Sequence, residues 1–147
     1  MSKKLQLKIV TPEKLILEEE VDSVTIPTTE GEITILPDHV PLIATISSGD
    51  IVAISNDEHI PMAVVGGFVE TKKENGLSEV TILADFAEHI SLISDIEIEK
   101  AKARAEELRK QAENNEIVDF EHFETELERS LNRIKIADKW KNRKYRK

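Results

Sequence analysis

The chain has 147 residues, 39% hydrophobic and 33% charged, with a formal net charge of −9. That length suits one small domain with an appendage, and that balance suits a modest core under a heavily solvated surface. The absence of cysteine excludes a disulfide framework, a thiolate metal site and a thiol nucleophile.

The start, Met-Ser-Lys-Lys-Leu-Gln-Leu-Lys, has no long apolar run behind its charges, so no signal peptide is expected. No stretch approaches the roughly 18–20 apolar residues of a membrane span. Leu5, Leu7 and Ile9 alternate with polar neighbours and predict a first strand, which Thr11-Pro12 ends. Leu15-Ile16-Leu17 begins a second. From Asp22 to Ile43 the pattern reads as two strands and two turns: Val24 and Ile26 alternate, as do Ile33 and Ile35. Thr28-Thr29-Glu30-Gly31 supplies the first turn. Pro37 and Pro41 confine Asp38, His39 and Val40 to a stiff loop at a sheet margin, because proline sets φ and removes a ladder donor. Such a loop suits presentation to a partner.

Further strands are expected at Leu42–Ile46, Ile51–Ile54, Ile60–Val65 and Val80–Ala84, with turns at Ser47–Asp50, Asn56-Asp57 and Asn75-Gly76. Gly66-Gly67 allows a bulge or a close backbone approach before Phe68-Val69. Short strands with turn signals every 8–12 residues predict a small β-sandwich. Asp85–Ile93 reads as a connector. Ser94 and Glu97 then form a capping-box pattern, opening a helix whose stripe is Ile98, Ala101, Ala105, Leu108 and Ala112. Glu113–Glu116 ends it, and Asp119 caps a second helix with a stripe of Phe120, Phe123, Leu127, Leu131, Ile134 and Ala137, and Trp140 just beyond. The class is therefore α+β: a β-sandwich over residues 1–88, then a connector and an antiparallel two-helix hairpin with a basic tail over 89–147. An alanine-rich stripe buries little area, which predicts a hairpin able to leave the sandwich.

Residues 1–90 hold six basic and 16 acidic side chains, whereas residues 91–147 hold 14 basic and 13 acidic. From Arg129 onward every charged residue but Asp138 is basic, so an acidic body and a basic end predict two partner surfaces. Trp140 and Tyr145 among those cations permit a nucleic-acid reading, but the acidic body would repel phosphate. The four histidines at 39, 59, 89 and 122 show no i, i+4 pair, so no metal site is expected. Gly66-Gly67 lacks the Lys-Ser/Thr of a phosphate loop. Asp38-His39 with Glu32 is the one candidate acid–base group; adjacent extended residues point apart, and no nucleophile accompanies them. The chain is thus not expected to be an enzyme.

Glu30-Gly-Glu-Ile-Thr-Ile-Leu-Pro-Asp-His-Val-Pro-Leu-Ile43 resembles the epsilon subunit of bacterial F-type ATP synthase, whose pattern is Glu-Gly-Glu-x-x-Ile followed by Pro-x-His-x-Pro. Leu7-Lys-Ile-Val-Thr-Pro-Glu13, Gly66-Gly-Phe-Val-Glu70 and Val80-Thr-Ile-Leu-Ala-Asp85 resemble its other signatures, in the same order. The resemblance implies a non-catalytic rotor subunit of the F1 sector that links gamma to the c-ring and restrains ATP hydrolysis through its hairpin. It implies that Glu30, Gly31, Glu32, Asp38 and His39 face the c-ring. Arg129, Arg133, Lys135 and Lys139 would meet an acidic segment of beta, beside alpha. Apolar and acidic sandwich faces would meet gamma. It also implies a regulatory ATP motif at Ile96, Glu97, Lys100 and Ala101, in which Glu replaces Asp and Lys replaces Arg. No cofactor is otherwise expected, and no nucleic acid. The expected location is peripheral, on the bacterial cytoplasmic face of the plasma membrane, touching the membrane only through the complex. The alternative reading is a free-standing ligand-binding or adaptor sandwich that dimerises through its hairpin.

Overall fold

The structure, a computed structural model, describes residues 3–93, 95–116 and 119–146. Ser94, the expected cap, and Lys147 of the basic tail lie outside the described residues. The strands are β1 (Leu5–Val10), β2 (Leu15–Val21), β3 (Ser23–Thr28), β4 (Gly31–Ile35), β5 (Leu42–Thr45), β6 (Gly49–Ser55), β7 (Glu58–Glu74) and β8 (Leu77–His89). A 3-10 turn at Ile90–Leu92 leads to α1 (Asp95–Glu113) and α2 (Phe120–Trp140). Two compact units result: Met1–His89 with Lys144–Lys147, and Ile90–Arg143.

In the first unit the order across the sheet is β2-β1-β8-β7-β6-β3-β4, with β5 also on β7. Neighbours pair antiparallel except β1 and β8, which run parallel. The sheet folds over on itself, so Leu5, Leu7 and Ile9 of β1 share one core with Val24 and Ile26 of β3 and Ile35 of β4. All six are almost wholly buried, as the period-2 pattern requires.

Gly66 and Gly67 have φ of +67° and +119°. A Cβ on Gly67 would lie 2.1 Å from the Leu83 carbonyl oxygen, so only glycine permits this close strand crossing. Here the inward parity switches, from Met62 and Val64 before the pair to Val69 and Thr71 after it. The two hairpin turns at Asn56-Asp57 and Asn75-Gly76 carry positive φ at both positions, the backbone that a two-residue connection between twisted strands favours.

The expected connector begins later than the sequence pattern implied. Phe86–His89 are strand, because they pair with Met62–Val65 of β7. Only Ala87 among these four is deeply buried, so apolar alternation was too weak to extend the strand.

In the second unit, α1 buries Ala101 and Leu108 from the anticipated stripe, while Ala112 is exposed. Asn115, at φ +55°, ends the segment: Glu116 N–H donates to the Gln111 carbonyl and Asn115 N–H to the Ala112 carbonyl. The Asp119 carboxylate accepts from the His122 N–H at 3.1 Å and caps α2. Arg104 of α1 grips Glu126 of α2 with two hydrogen bonds of 2.5 and 2.8 Å. The buried face of α2 differs from expectation. Phe120 and Leu131 are exposed, and Ser130, Asn132, Ile136 and Trp140 are buried. Apolar periodicity cannot see a face that includes a hydroxyl and an amide, yet such groups are tolerated once hydrogen-bonded. No buried side-chain polar atom among the described residues lacks a partner.

Candidate functional site: a braced edge and an exposed apolar face

β4 is the last strand in the sheet order, so among the described residues one of its edges carries no neighbouring strand. The two loops singled out in the sequence lie at its two ends. Before it, the β3–β4 turn exposes Glu30, Gly31 and Glu32. Thr28 shapes this turn, its hydroxyl accepting from the Glu30 N–H at 3.2 Å and donating to the Gly31 carbonyl. After the strand, Leu36-Pro37-Asp38-His39 makes a tight turn: the His39 N–H donates to the Leu36 carbonyl at 3.2 Å, and Asp38 has φ +70°. Proline at the second position and positive φ at the third is a type II pattern.

Asp38 holds this loop in place. Its carboxylate meets the Lys3 ammonium at 2.7 Å and the Lys73 ammonium at 2.8 Å. Its N–H donates to the Ser78 hydroxyl at 2.7 Å, and the Thr71 hydroxyl donates to the Val40 carbonyl at 2.9 Å. The hydrogen bonds from Lys3 and Lys73 hold the Asp38 carboxyl well below its ordinary value of 3.8, at about 2. Asp38 is therefore a brace tying the loop to the ends of β1, β7 and β8. The His39 ring pairs through Nδ1 with its neighbour's carbonyl, at 2.7 Å from the Val40 oxygen. Asp38 is committed to two lysines and Glu32 sits at the far end of β4, so no acid–base dyad forms. What the loop exposes is apolar: Leu36 and Val40 are 56% and 71% exposed.

A second surface escaped the sequence reading. The register aligns Leu15 with Val10, Val10 with Leu83, and Leu83 with Phe68 across β2, β1, β8 and β7. Ile43 extends the group on β5, one pair along, opposite Glu70. Phe68, Leu83 and Ile43 are 57%, 56% and 72% exposed, unusual for side chains of their size in one group. Each stands out of phase with an inward neighbour, Val69, Ile82 or Ala44, which is the only local signal. That these strands adjoin is tertiary information.

In the second unit, Arg129, Lys135 and Lys139 are exposed and Arg133 is half-buried. At about 100° per residue, Arg129 and Arg133 share one stripe of α2 and Lys135 and Lys139 another. The four thus form two pairs rather than one row. Of the nucleotide-motif residues, Ile96 is 67% exposed on α1 and Ala101 is buried, with Glu97 and Lys100 between them in sequence. Among the described residues no group of histidine and carboxylate side chains is arranged to hold a metal, and no helix is long and apolar enough to cross a membrane.

A braced edge, an exposed apolar sheet face and a charged helix are features of a subunit that works by contact. The family model for the beta-sandwich domain of the ATP synthase delta/epsilon chain matches residues 4–90. An ATP synthase epsilon chain of Herpetosiphon aurantiacus is 37% identical over 139 residues, covering 95% of this chain and 98% of its own. Those of Desulforamulus reducens and Halalkalibacterium halodurans are 38% and 39% identical, covering 94% and 90% of this chain and 100% and 96% of theirs. A chain in the cryo-EM structure of Euglena gracilis mitochondrial ATP synthase (OSCP/F1/c-ring, rotational state 1) superposes with a TM-score of 0.68 at 22% identity. That match spans 92% of this chain and 80% of the other, and shows the shared fold. The chain belongs to the ATP synthase delta/epsilon family. It is an accessory, non-catalytic subunit, and it works as part of a membrane-associated F1 sector.

Proposed function

We propose that this chain is the central-stalk subunit that joins gamma to the c-ring in F-type ATP synthase and restrains ATP hydrolysis through its hairpin. The observation that carries the reading is the end-to-end match to epsilon chains, hairpin included. The exposed group Leu15, Phe68, Leu83 and Ile43 supplies apolar area for gamma. The β4 edge, with Glu30, Gly31 and Glu32 at one end and Asp38 and His39 at the other, supplies the surface toward the c-ring. A partner lying along that edge touches both ends. Arg129, Arg133, Lys135 and Lys139 supply charge for an acidic segment of beta, beside alpha, when the hairpin is extended. The complex would hold the chain peripherally on the bacterial cytoplasmic face of the plasma membrane.

Regulatory ATP is not part of this reading. Lys100 stands where the family motif has Arg and cannot form its bidentate fork, and Glu97 replaces the shorter Asp. Millimolar ATP should leave the thermal midpoint of the isolated protein unchanged; a clear rise would restore the nucleotide to the mechanism.

The reading itself is tested in the reconstituted enzyme. Phe68→Glu, which places a charge on a surface already exposed, should leave the isolated protein folded and abolish its association with gamma. Cysteines at Glu32 or His39 should cross-link to the c subunit. Replacing Arg129, Arg133, Lys135 and Lys139 by Ala should raise ATP hydrolysis several-fold. Normal gamma binding by Phe68→Glu would remove the proposed gamma face, and self-association of the isolated chain without gamma binding would favour the free-standing alternative.

A further inference from the structure

Beyond its hairpin the chain returns to the sandwich unit, and the way it does so is specific. β8 leaves β7 at His89, opposite Met62, so the β7 residues before Met62 have no β8 partner. At that margin the Arg146 N–H donates to the His59 carbonyl at 2.8 Å, taking up part of the edge that β8 leaves. Glu19 of β2 stands opposite Leu7 and shares its face with Leu17 and Val21, which pack toward the core. A carboxylate on that face needs a counter-charge. Both its oxygens are met by the Arg146 guanidinium, at 2.6 and 2.5 Å. The Tyr145 ring lies 6.1 Å from the His89 ring, tilted by 52°, at the point where β8 ends. Nothing in the amino-acid pattern pairs position 19 with position 146.

We propose that Tyr145 and Arg146 are a releasable latch: they close the open margin between β2 and the start of β7, and their detachment is the step that frees the far end of segment Ile90–Arg143. The chain leaves the sandwich unit after His89 and re-enters it at Lys144. The latch is built to open. Arg146 and Glu19 are 34% and 29% exposed, so water and salt reach the pair, and the contacts of Arg146 with His59 and of Tyr145 with His89 accompany it. Its bidentate geometry makes it selective, since lysine at position 146 would keep the charge and lose the fork. The proposal rests on packing within the sandwich unit and stands apart from the role of the hairpin in hydrolysis.

The test uses the full-length protein, with amide exchange and limited trypsin cleavage as readouts. Arg146→Ala and Glu19→Gln should each speed exchange over residues 141–146 and cleavage after Lys141 and Arg143, by roughly three- to tenfold at low salt. Protection in β1, β3 and β6 should not change. The swapped pair Glu19→Arg with Arg146→Glu should restore slow cleavage, and the wild type at high salt should approach the single variants. Wild-type rates in Arg146→Ala, or a swap that restores nothing, would overturn the latch. If Glu19→Gln loosens the sandwich itself, seen as lost protection in β1, then Arg146→Ala at the tail decides alone. A failed latch would leave the gamma-binding and hydrolysis predictions untouched.

Discussion

Two residues show how locally this fold is constrained. At Gly67 any Cβ meets the Leu83 carbonyl oxygen at 2.1 Å and the Ala84 Cα at 2.8 Å, and the backbone sits at φ +119°. Gly67→Ala should therefore destabilise the sandwich by about 3 kcal/mol or more, read as a lower urea midpoint. An unchanged midpoint would mean that the β7–β8 crossing yields more easily than its geometry indicates. Asp38 makes a pH prediction. Its carboxyl is depressed from 3.8 to about 2 by Lys3 first and Lys73 second. A depressed acid stabilises the fold fully above its ordinary value and loses that contribution as pH falls through its folded value. The stability difference between wild type and Asp38→Asn should be largest above pH 3.8 and close as pH approaches about 2. A difference that stays constant across that window would rule out the lysine brace as its source.

At the scale of elements, strands and helices differ in how much of their burial was legible. The β3–β4 pair was readable because the buried Val24, Ile26 and Ile35 alternate with the half-buried Thr25 and Pro27 and the exposed Thr34, and period two has one inward solution. β8 was only half readable: beyond Asp85 its pairing with β7 continues while its apolar alternation does not. The β4 edge loops were found through their prolines and glycine. That they lie at opposite ends of one edge strand emerged only from the strand order. For α1, Leu108 is the largest buried side chain, at 2% exposure, with Ala101 its one buried companion on the helix. Leu108→Ala should cost about 2–5 kcal/mol locally. The expected result is lost amide protection across residues 95–140 with β1, β3 and β6 unaffected. A global loss of protection would show that hairpin and sandwich unfold as one.

For the whole molecule, the decisive feature is unequal investment in its two units. The sandwich gathers large aliphatic side chains from most of its strands into one cluster, whereas the buried faces of the hairpin include Ala101, Ser130 and Asn132. Several of its ion pairs are exposed and lie within α1, Arg109 with Glu106 and Glu113 among them; such pairs add little each and are screened by salt. Native-state exchange should therefore show opening of residues 95–140 at lower free energy than the core strands, and the gap should widen as salt rises. A uniform profile would remove the physical basis for a detachable hairpin.

The amino-acid order by itself determined the class, the turns, the glycine crossing, the α2 cap and the resemblance, because each depends on residues close in the chain or on a motif. Tertiary structure alone decided three other matters. It placed Leu15, Val10, Leu83 and Phe68 in one row, since adjacency of β2, β1, β8 and β7 is a property of sheet order rather than of any strand. It turned the buried face of α2 onto Ser130, Asn132 and Ile136, since a polar group can be buried wherever its hydrogen bonds are met. And it brought Arg146 to Glu19 across 127 positions of sequence, a pairing without local signal because a charge declares its sign but not its partner.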